Sequence, residues 1–161
     1  MKNKIFNTPF ELGIRMVFLL RAIHPRRADL QRLMYFDYAA IYSADIGGPE
    51  SLHTPVPLRG DEYTTRREVI EQGLIMMCAR SFVDVVASHD GILYEIGENG
   101  VSLVELIDGP YASRLASRCR WVADTLGDKS VQDLERIFDT QSAHWSIHFL
   151  GTGKRDAEGS R

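Results

Sequence analysis

The chain has 161 residues, 44% of them hydrophobic and 25% charged, with a formal net charge of −3 at pH 7. These values are ordinary for one globular domain, and a chain of this length can bury a substantial core. The negative charge excludes a general attraction to nucleic acid, although local basic patches remain possible. Cys78 and Cys119 lack CxxC spacing, so we expect free buried thiols in a reducing cytoplasm.

The first predicted element is a helix within Asn7 to His24, which we expect to be the centre of the core. Pro9 suits the first helical position, Asn7 or Thr8 can cap the helix, and Glu11 falls in its positive first turn. Nearly every side of this helix is apolar, so other parts of the protein, or a partner, must surround it.

This helix is not expected to lie in a membrane. Glu11, Arg15 and Arg21 interrupt a run that is too short to span a bilayer, and the small-residue cleavage site of a secretory signal is missing. Glu11 and Arg15 form a narrow polar strip one turn apart. We expect Ile5 to Glu11 to be partly an interface and 12–23 to be core.

A second helix is predicted after the turn at Pro25, with Asp29 or a residue just before it at its start. Its apolar stripe contains Leu30, Leu33, Met34, Ala40 and Ile41. Asp37 falls on this stripe, where a carboxylate is costly unless it is paired. We predict a buried structural ion pair between Asp37 and Arg66, and keep a catalytic or metal role for Asp37 as the alternative.

Residues 45–60 are rich in glycine and proline and predict an ordered loop or an extended arm. Loops of this length inside a compact domain are often functional. His53, Asp45 and Asp61 suggest a metal, but nothing supplies metal-ligand spacing. We therefore expect His53 to be a hydrogen-bonded structural residue, and expect neither a metal nor a cofactor.

A third helix is predicted from about Glu62 to Arg80. Thr64 or Thr65 could cap it, and Glu68 completes a capping-box pattern with Thr65. Its buried stripe is expected to contain Val69, Ile70, Gly73, Leu74 and Met77, with Arg66 at its N-terminal end. A glycine inside a helix costs up to about 1 kcal/mol relative to alanine. Close packing against another helix would explain Gly73.

A β-hairpin is the clearest local signal in the sequence. The runs FVDVVA and ILYEIG are rich in β-branched and aromatic residues, and a turn from Ser88 to Gly91 joins them. Two helices, a third helix and then a hairpin are the layout of a winged helix, with the third helix in the recognition position and 82–96 as the wing.

The fold prediction is mainly α with one β-hairpin, a winged-helix-like domain extended by C-terminal helices. We expect a single domain over 1–150, with a winged-helix core at 5–96 and a helical extension at 98–150. The extension begins with a short helix after Asn99-Gly100 and continues beyond Gly109-Pro110. Residues 151–161 are polar and glycine-rich, which predicts a disordered tail.

The charge pattern favours protein contact over DNA contact. Arg66 and Arg67 of the third helix are balanced by four nearby carboxylates, and the wing tip has no lysine or arginine for phosphates. Arg114 and Arg118 gather with Trp121 on one face of a later helix. Arginine beside tryptophan is typical of the strongest contacts in protein interfaces.

Three functional hypotheses follow from these residues. No nucleophile elbow, P-loop, dinucleotide fingerprint, HExxH or CxxC motif is present, so we do not expect an enzyme. A hydrolase using Asp37, Asp45 and His53 would require all three side chains to meet in one cleft. A free-standing winged-helix DNA-binding regulator is the main alternative to a protein that acts through protein contacts.

Several unusual motifs resemble one known family. They are FNTPxE near the start, the spacing of Asp29, Arg32, Asp37 and Tyr38, and LHxPxPLR in the loop. Over roughly residues 5–126 the chain resembles the small middle component of ABC-three-component systems, the group that includes Lamassu-type bacterial anti-phage defence.

This resemblance implies a non-catalytic scaffold in the cytoplasm. It would bridge an SMC-like or Rad50-like ABC ATPase subunit and a nuclease-type effector subunit, and DNA contact would be at most weak or indirect. ATP hydrolysis and DNA cleavage would belong to these partners. The residues expected at the protein interface are Phe6, Asn7, Pro9, His53, Arg114, Arg118 and Trp121.

Overall fold

The computed structural model describes residues 8–53 and 59–140, and of 59–65 it describes the backbone. In this part the chain forms six α-helices and one antiparallel β-hairpin, and a short 3-10 turn, Ser43–Ile46, follows the second helix. The elements are α1 (Pro9–Ile23), α2 (Leu30–Ile41), α3 (Arg59–Ala79), β1 (Val83–Ser88), β2 (Gly91–Ile96), α4 (Glu98–Leu106), α5 (Pro110–Leu126) and α6 (131–140). The prediction of a mainly α fold with one β-hairpin is confirmed.

Local capping explains where the first two helices begin. The Thr8 hydroxyl oxygen accepts a hydrogen bond from the Glu11 backbone N–H at 3.2 Å, and Pro9 occupies the first helical position. The Asp29 carboxylate accepts from the Arg32 N–H at 2.8 Å. Both caps satisfy backbone donors that the helices themselves leave without partners.

Helix α1 lies at the centre of the core, where it packs against α2, α3, α4 and α5. Met16, Leu19 and Leu20 are completely buried. The expected polar strip was wrong at Arg15, because its side chain is buried and ion-paired instead of solvent-facing. Phe10 at the start of α1 is 52% exposed, so the apolar surface of this helix is not fully covered by the described residues.

Helices α1 and α3 cross at a pair of glycines. A Cβ atom added to Gly73 would lie 2.5 Å from the Pro9 carbonyl oxygen and 2.7 Å from the Gly13 nitrogen. A Cβ atom added to Gly13 would lie 2.8 Å from the Gly73 oxygen. The predicted close packing of Gly73 against another helix is therefore confirmed.

The start of α3 differs from the prediction. The helix begins at Arg59, so Thr64 and Thr65 occupy interior positions and the capping-box interpretation was wrong. Gly60 lies inside the first turn of this helix. A glycine there does not end the helix, since it costs only about 1 kcal/mol relative to alanine.

The hairpin pairs β1 with β2 in a simple register from Val83 opposite Ile96 to Ser88 opposite Gly91. Gly91 has φ +113°, as expected for a glycine at this turn. Ala28, in the connection between α1 and α2, forms an isolated antiparallel bridge with Tyr94 of β2.

Some predictions concern residues that the structure does not describe. Phe6, Asn7 and the tail 151–161 lie outside the described residues, as does Asp61 with respect to its side chain. None of the described helices has the length and apolar character needed to cross a membrane.

Candidate protein interface

Three helices each contribute one charged side chain to a buried polar cluster, which comprises Arg15, Asp37 and Arg66. Arg15 donates from Nε to Asp37 Oδ1 at 2.8 Å and from Nη2 to Asp37 Oδ2 at 3.0 Å. Arg66 Nε lies 3.6 Å from Asp37 Oδ2. The side chains of Arg15, Asp37 and Arg66 are 3%, 0% and 7% exposed, so all three charges are removed from water.

The pairing keeps both groups of the central ion pair charged. Burial by itself would raise the pKa of Asp37, but the nearby Arg15 and Arg66 outweigh it and hold this pKa below its usual value. Burial likewise opposes the charge of Arg15, and Asp37 more than offsets it, which raises the pKa of Arg15.

Two aromatic rings, one in α2 and one directly after it, lie near the Arg66 guanidinium. The Arg66 Cζ atom lies 5.9 Å from the ring centre of Tyr38 and 5.8 Å from that of Tyr42, within the range of cation–π attraction. The Tyr38 hydroxyl donates to Asp45 Oδ2 at 2.9 Å. The aromatic rings thus link the cluster to the segment that follows α2.

His53 connects the end of this segment to two helices. Its backbone N–H donates to the Ile41 carbonyl oxygen at 3.0 Å, and its Nε2 atom lies 2.8 Å from the Tyr111 hydroxyl. Burial lowers the pKa of His53 to about 4. The positive charges of Arg15 and Arg66 lower this pKa further, and the negative charge of Asp37 partly opposes them. His53 is therefore neutral at pH 7, and its contacts are those of a hydrogen-bonded structural histidine.

Helix α5 holds the segment from Ser43 to His53, here called the 43–53 loop. Arg118 Nε donates to the Glu50 carbonyl oxygen at 2.8 Å. The Trp121 ring lies against Gly48 so closely that a Cβ atom there would be 2.4 Å from the ring. The sequence analysis predicted contacts with a partner for Arg118 and Trp121, and the contacts that the structure shows for them lie within the chain.

The structure brings some of the predicted interface residues together and separates others. His53, Arg118 and Trp121 lie along the junction of α5 with the 43–53 loop, while Arg114 of α5 is exposed. Pro9 lies at the start of α1, where its carbonyl contacts α3. We call the junction of α5 with the 43–53 loop the α5–loop surface.

Sequence reasoning missed Arg15 of the cluster and one hydrogen bond near it. Arg15 is the closest partner of Asp37, but its position beside Glu11 suggested a solvent-facing strip. The hydrogen bond between Tyr111 and His53 was not predicted either. Arg15 and Asp37 are 22 positions apart, and only the packing of α1 against α2 brings them into contact.

The geometry is unfavourable to the hydrolase hypothesis. Both carboxylate oxygens of Asp37 face guanidinium groups and the residue is completely buried, so a substrate cannot reach it. Asp45 and His53 are engaged with Tyr38 and Tyr111. Within 8–53 and 59–140, no group of three His, Cys, Asp or Glu side chains is arranged to hold a metal ion.

The two cysteines are free, as predicted. Cys119 is buried in α5, and burial raises the pKa of its thiol. Cys78 is partly buried, and burial again raises its pKa. Since the thiolate is the reactive form of cysteine, these environments favour structural roles.

A groove lies between α1, α4 and α5, on a different part of the molecule. Its cavity volume is about 300 Å³, and Phe18 and Val104 contribute to its apolar lining. Arg21, Glu105 and Arg120 provide the charged part of its lining. No ion pair formed by Arg21 or Arg120 is found in the part of the chain that the structure describes, so the groove offers apolar surface next to available positive charge.

Comparison with known proteins gives one match. The family model of the ABC-three component (ABC-3C) system Middle Component 2 matches residues 5–148. The matched range includes every residue of the buried polar cluster, the 43–53 loop and the hairpin. No curated protein and no solved structure matches the chain.

Proposed function

We propose, on the premise that the chain belongs to the ABC-three component (ABC-3C) system Middle Component 2 family, that it is a scaffold between two partner subunits. Membership of this family indicates an accessory subunit of a multi-subunit system. One proposed partner is an SMC-like or Rad50-like ABC ATPase, and the other is a nuclease-type effector. We further propose that the system is a Lamassu-type anti-phage defence complex.

The observation on which this proposal depends most is the extent of the family match. It spans residues 5–148, which include every described residue, and is not limited to a short motif. The buried polar cluster is consistent with a scaffold. Its ion pairs link α1, α2 and α3 inside the core, and its aromatic and histidine contacts continue to the 43–53 loop and α5.

A scaffold requires at least two separate contact surfaces, and two are available. The α5–loop surface combines Arg118 and Trp121 with an ordered loop, and Arg114 is exposed on the same helix. The groove with Arg21 and Arg120 lies between α5 and two other helices. We propose that these surfaces meet different partner subunits.

We also propose that 5–96 is a winged-helix core and 98–150 a helical extension of the same domain. The order of three helices and a hairpin supports this assignment. The bridge between Ala28 and Tyr94 supports it further, because it joins the connection between α1 and α2 to the hairpin within one unit.

The alternative, a free-standing winged-helix DNA-binding regulator, is less well supported. A hairpin that contacts phosphates needs basic side chains, and the hairpin here has Asp84, Asp90 and Glu95 but no lysine or arginine. We expect the isolated chain to bind duplex DNA weakly. Tight binding to a specific operator with a steep salt dependence would favour the regulator instead.

Affinity purification tests the proposed function. The tagged chain is expressed together with the subunits encoded beside it, and the recovered proteins are identified by mass spectrometry. The expected result is recovery of a large ABC ATPase and an effector in fixed ratios. Recovery of neither protein, from cells that express both, would count against the proposal.

A further inference from the structure

Within 8–53 and 59–140, strand β1 pairs along one edge only, and its register with β2 shows which backbone groups face the other edge. In an antiparallel pair, opposed residues that do not exchange hydrogen bonds direct their backbone groups away from each other. Tyr94 N–H donates to the Ala28 oxygen at 2.8 Å, and the Tyr94 oxygen accepts from Ala28 N–H at 3.0 Å. Val85 lies opposite Tyr94 in this register and therefore directs its backbone N–H and C=O away from β2. Because strand residues alternate in this respect, Ala87 also directs its backbone groups away from β2.

These backbone groups have no hydrogen-bond partner among the described residues. An edge strand with open N–H and C=O groups is a template for pairing with another strand, and proteins commonly protect such edges with lysine, proline or a covering element. Strand β1 contains neither lysine nor proline. Val83 at its base is buried, but Val85 is 52% exposed.

One face of the hairpin is apolar beyond its buried base. Val85, Ala87, Ile92 and Tyr94 share this face, because they belong to two opposed pairs in the same alternation. Ile92 is 57% exposed and Ala87 is also exposed. The described chain therefore leaves both the edge of β1 and the adjoining apolar face without a cover.

The charge around the hairpin identifies the kind of strand that would fit. No lysine or arginine occurs between Ser81 and Ser113, while this stretch contains six carboxylates: Asp84, Asp90, Glu95, Glu98, Glu105 and Asp108. Glu95 is paired with Arg27 at 2.8 Å, which leaves Asp84 as the carboxylate of β1 itself. Asp84 lies on the face opposite Val85 and is exposed. A second copy of this chain would bring the same acidic stretch to the contact, whereas a basic segment is complementary to it.

We propose that β1 accepts an extended segment of a partner subunit as an added strand. The segment would have apolar residues on the side of Val85 and Ala87 and a lysine or arginine beside Asp84, since alternate side chains of the added strand meet the two faces of the hairpin. Backbone hydrogen bonds would form with Val85 and Ala87. This inference rests on the proposed function, because it assigns the segment to the ABC ATPase or the effector.

A matched pair of proline variants tests the edge. Ala87→Pro removes an N–H that points away from β2, and Ile92→Pro removes the equivalent N–H on the opposite edge of the same sheet. Each variant is expressed with the wild-type partner subunits, and its Kd for the partner that wild type recovers is measured. We expect Ala87→Pro to weaken binding at least tenfold and Ile92→Pro to weaken it much less. An equal effect, or a larger loss with Ile92→Pro, would overturn the proposed strand pairing.

Hydrogen exchange of the wild-type protein gives a second test that needs no variant. Backbone amides in 83–88 are compared in the isolated chain and in the complex with the partner. We expect the outward-facing amides to exchange at least tenfold more slowly in the complex. Unchanged exchange, or a wild-type dimer that Ala87→Pro converts to monomer, would overturn the assignment to a partner segment. If wild type recovers no partner at all, the proposed function itself fails, which is a distinguishable result.

Discussion

Arg15 of α1 and Asp37 of α2 form a buried ion pair through two hydrogen bonds, of 2.8 and 3.0 Å, at the centre of the molecule. The Nε atom of Arg66 in α3 lies 3.6 Å from Oδ2 of the same carboxylate. Since removal of one member of a buried pair leaves the other charge uncompensated, this relationship fixes how three helices pack. Arg15 and Asp37 also act electrostatically on His53, which is hydrogen-bonded to Tyr111 at the α5–loop surface.

Removing the central carboxylate should destabilise the fold strongly. We expect Asp37→Ala to lower the free energy of unfolding by about 3–5 kcal/mol, because the buried Arg15 guanidinium loses the carboxylate that accepts both of these hydrogen bonds. Chemical denaturation measures this change. Asp128→Ala is the control, since Asp128 pairs with Arg26 at an exposed site and should cost less than about 1 kcal/mol. Similar losses in both variants would contradict the role given to Asp37.

The glycine crossing of α1 and α3 predicts a second effect on stability. Gly73→Ala would gain up to about 1 kcal/mol of helix propensity, but its methyl group would overlap the Pro9 carbonyl. We expect a net loss of about 1–3 kcal/mol in the free energy of unfolding, typical of overpacking. Gln72→Ala, at an exposed position of the same helix, should change stability little. A stabilising effect of Gly73→Ala would show that the helices can separate without cost.

Much of this architecture could be predicted from the sequence, because its determinants are local. The caps at Thr8 and Asp29, the apolar stripes and the turn at Gly91 each act within a few residues. Gly73 was also informative, since a glycine in mid-helix has few explanations other than close packing.

What could not be predicted depends on contacts between distant parts of the chain. The role of Arg15 follows from the position of α2, which no local pattern specifies. The contacts of Trp121 with Gly48 and of Arg118 with Glu50 depend on how the 43–53 loop folds back onto α5. The sequence indicated an arginine–tryptophan surface, but not that this surface also holds a loop.

The lowered pKa of His53 predicts a pH dependence of stability. The usual histidine pKa is 6.5 and the folded value is about 4, so between these limits the unfolded chain binds a proton that the folded chain does not. The free energy of unfolding should therefore fall as the pH decreases from 6.5 towards 4. The effect of Asp37 belongs to a lower range, because its pKa is lowered from 3.8 and its stabilisation is lost below that pH.

Denaturation at a series of pH values tests this assignment. His53→Gln should show a flatter dependence between pH 6.5 and 4 than wild type. His89→Gln, at the exposed turn of the hairpin, is the matched control and should keep the wild-type dependence. If both variants behave like wild type, His53 is not the group that titrates.

Trp121→Ala should release the 43–53 loop while the core remains folded. The indole ring packs on Gly48, and the substitution removes this contact without touching the buried ion pair. We expect faster hydrogen exchange in 43–53 and weaker assembly with the partner subunits. Thr125→Ala, at an exposed position of the same helix, is the control. Arg118→Glu should weaken assembly in the same way, and normal assembly by both variants would mean that partners bind a different face.

The central claim is that this chain bridges two subunits. The most direct test is to compare the assembly with and without this chain. The ABC ATPase is tagged and purified from cells that express the effector with or without this chain, and the amount of effector recovered per ATPase is quantified. The account predicts that the effector is recovered with the ATPase when this chain is present and is lost when it is omitted. Equal recovery in both cases would contradict a bridging role.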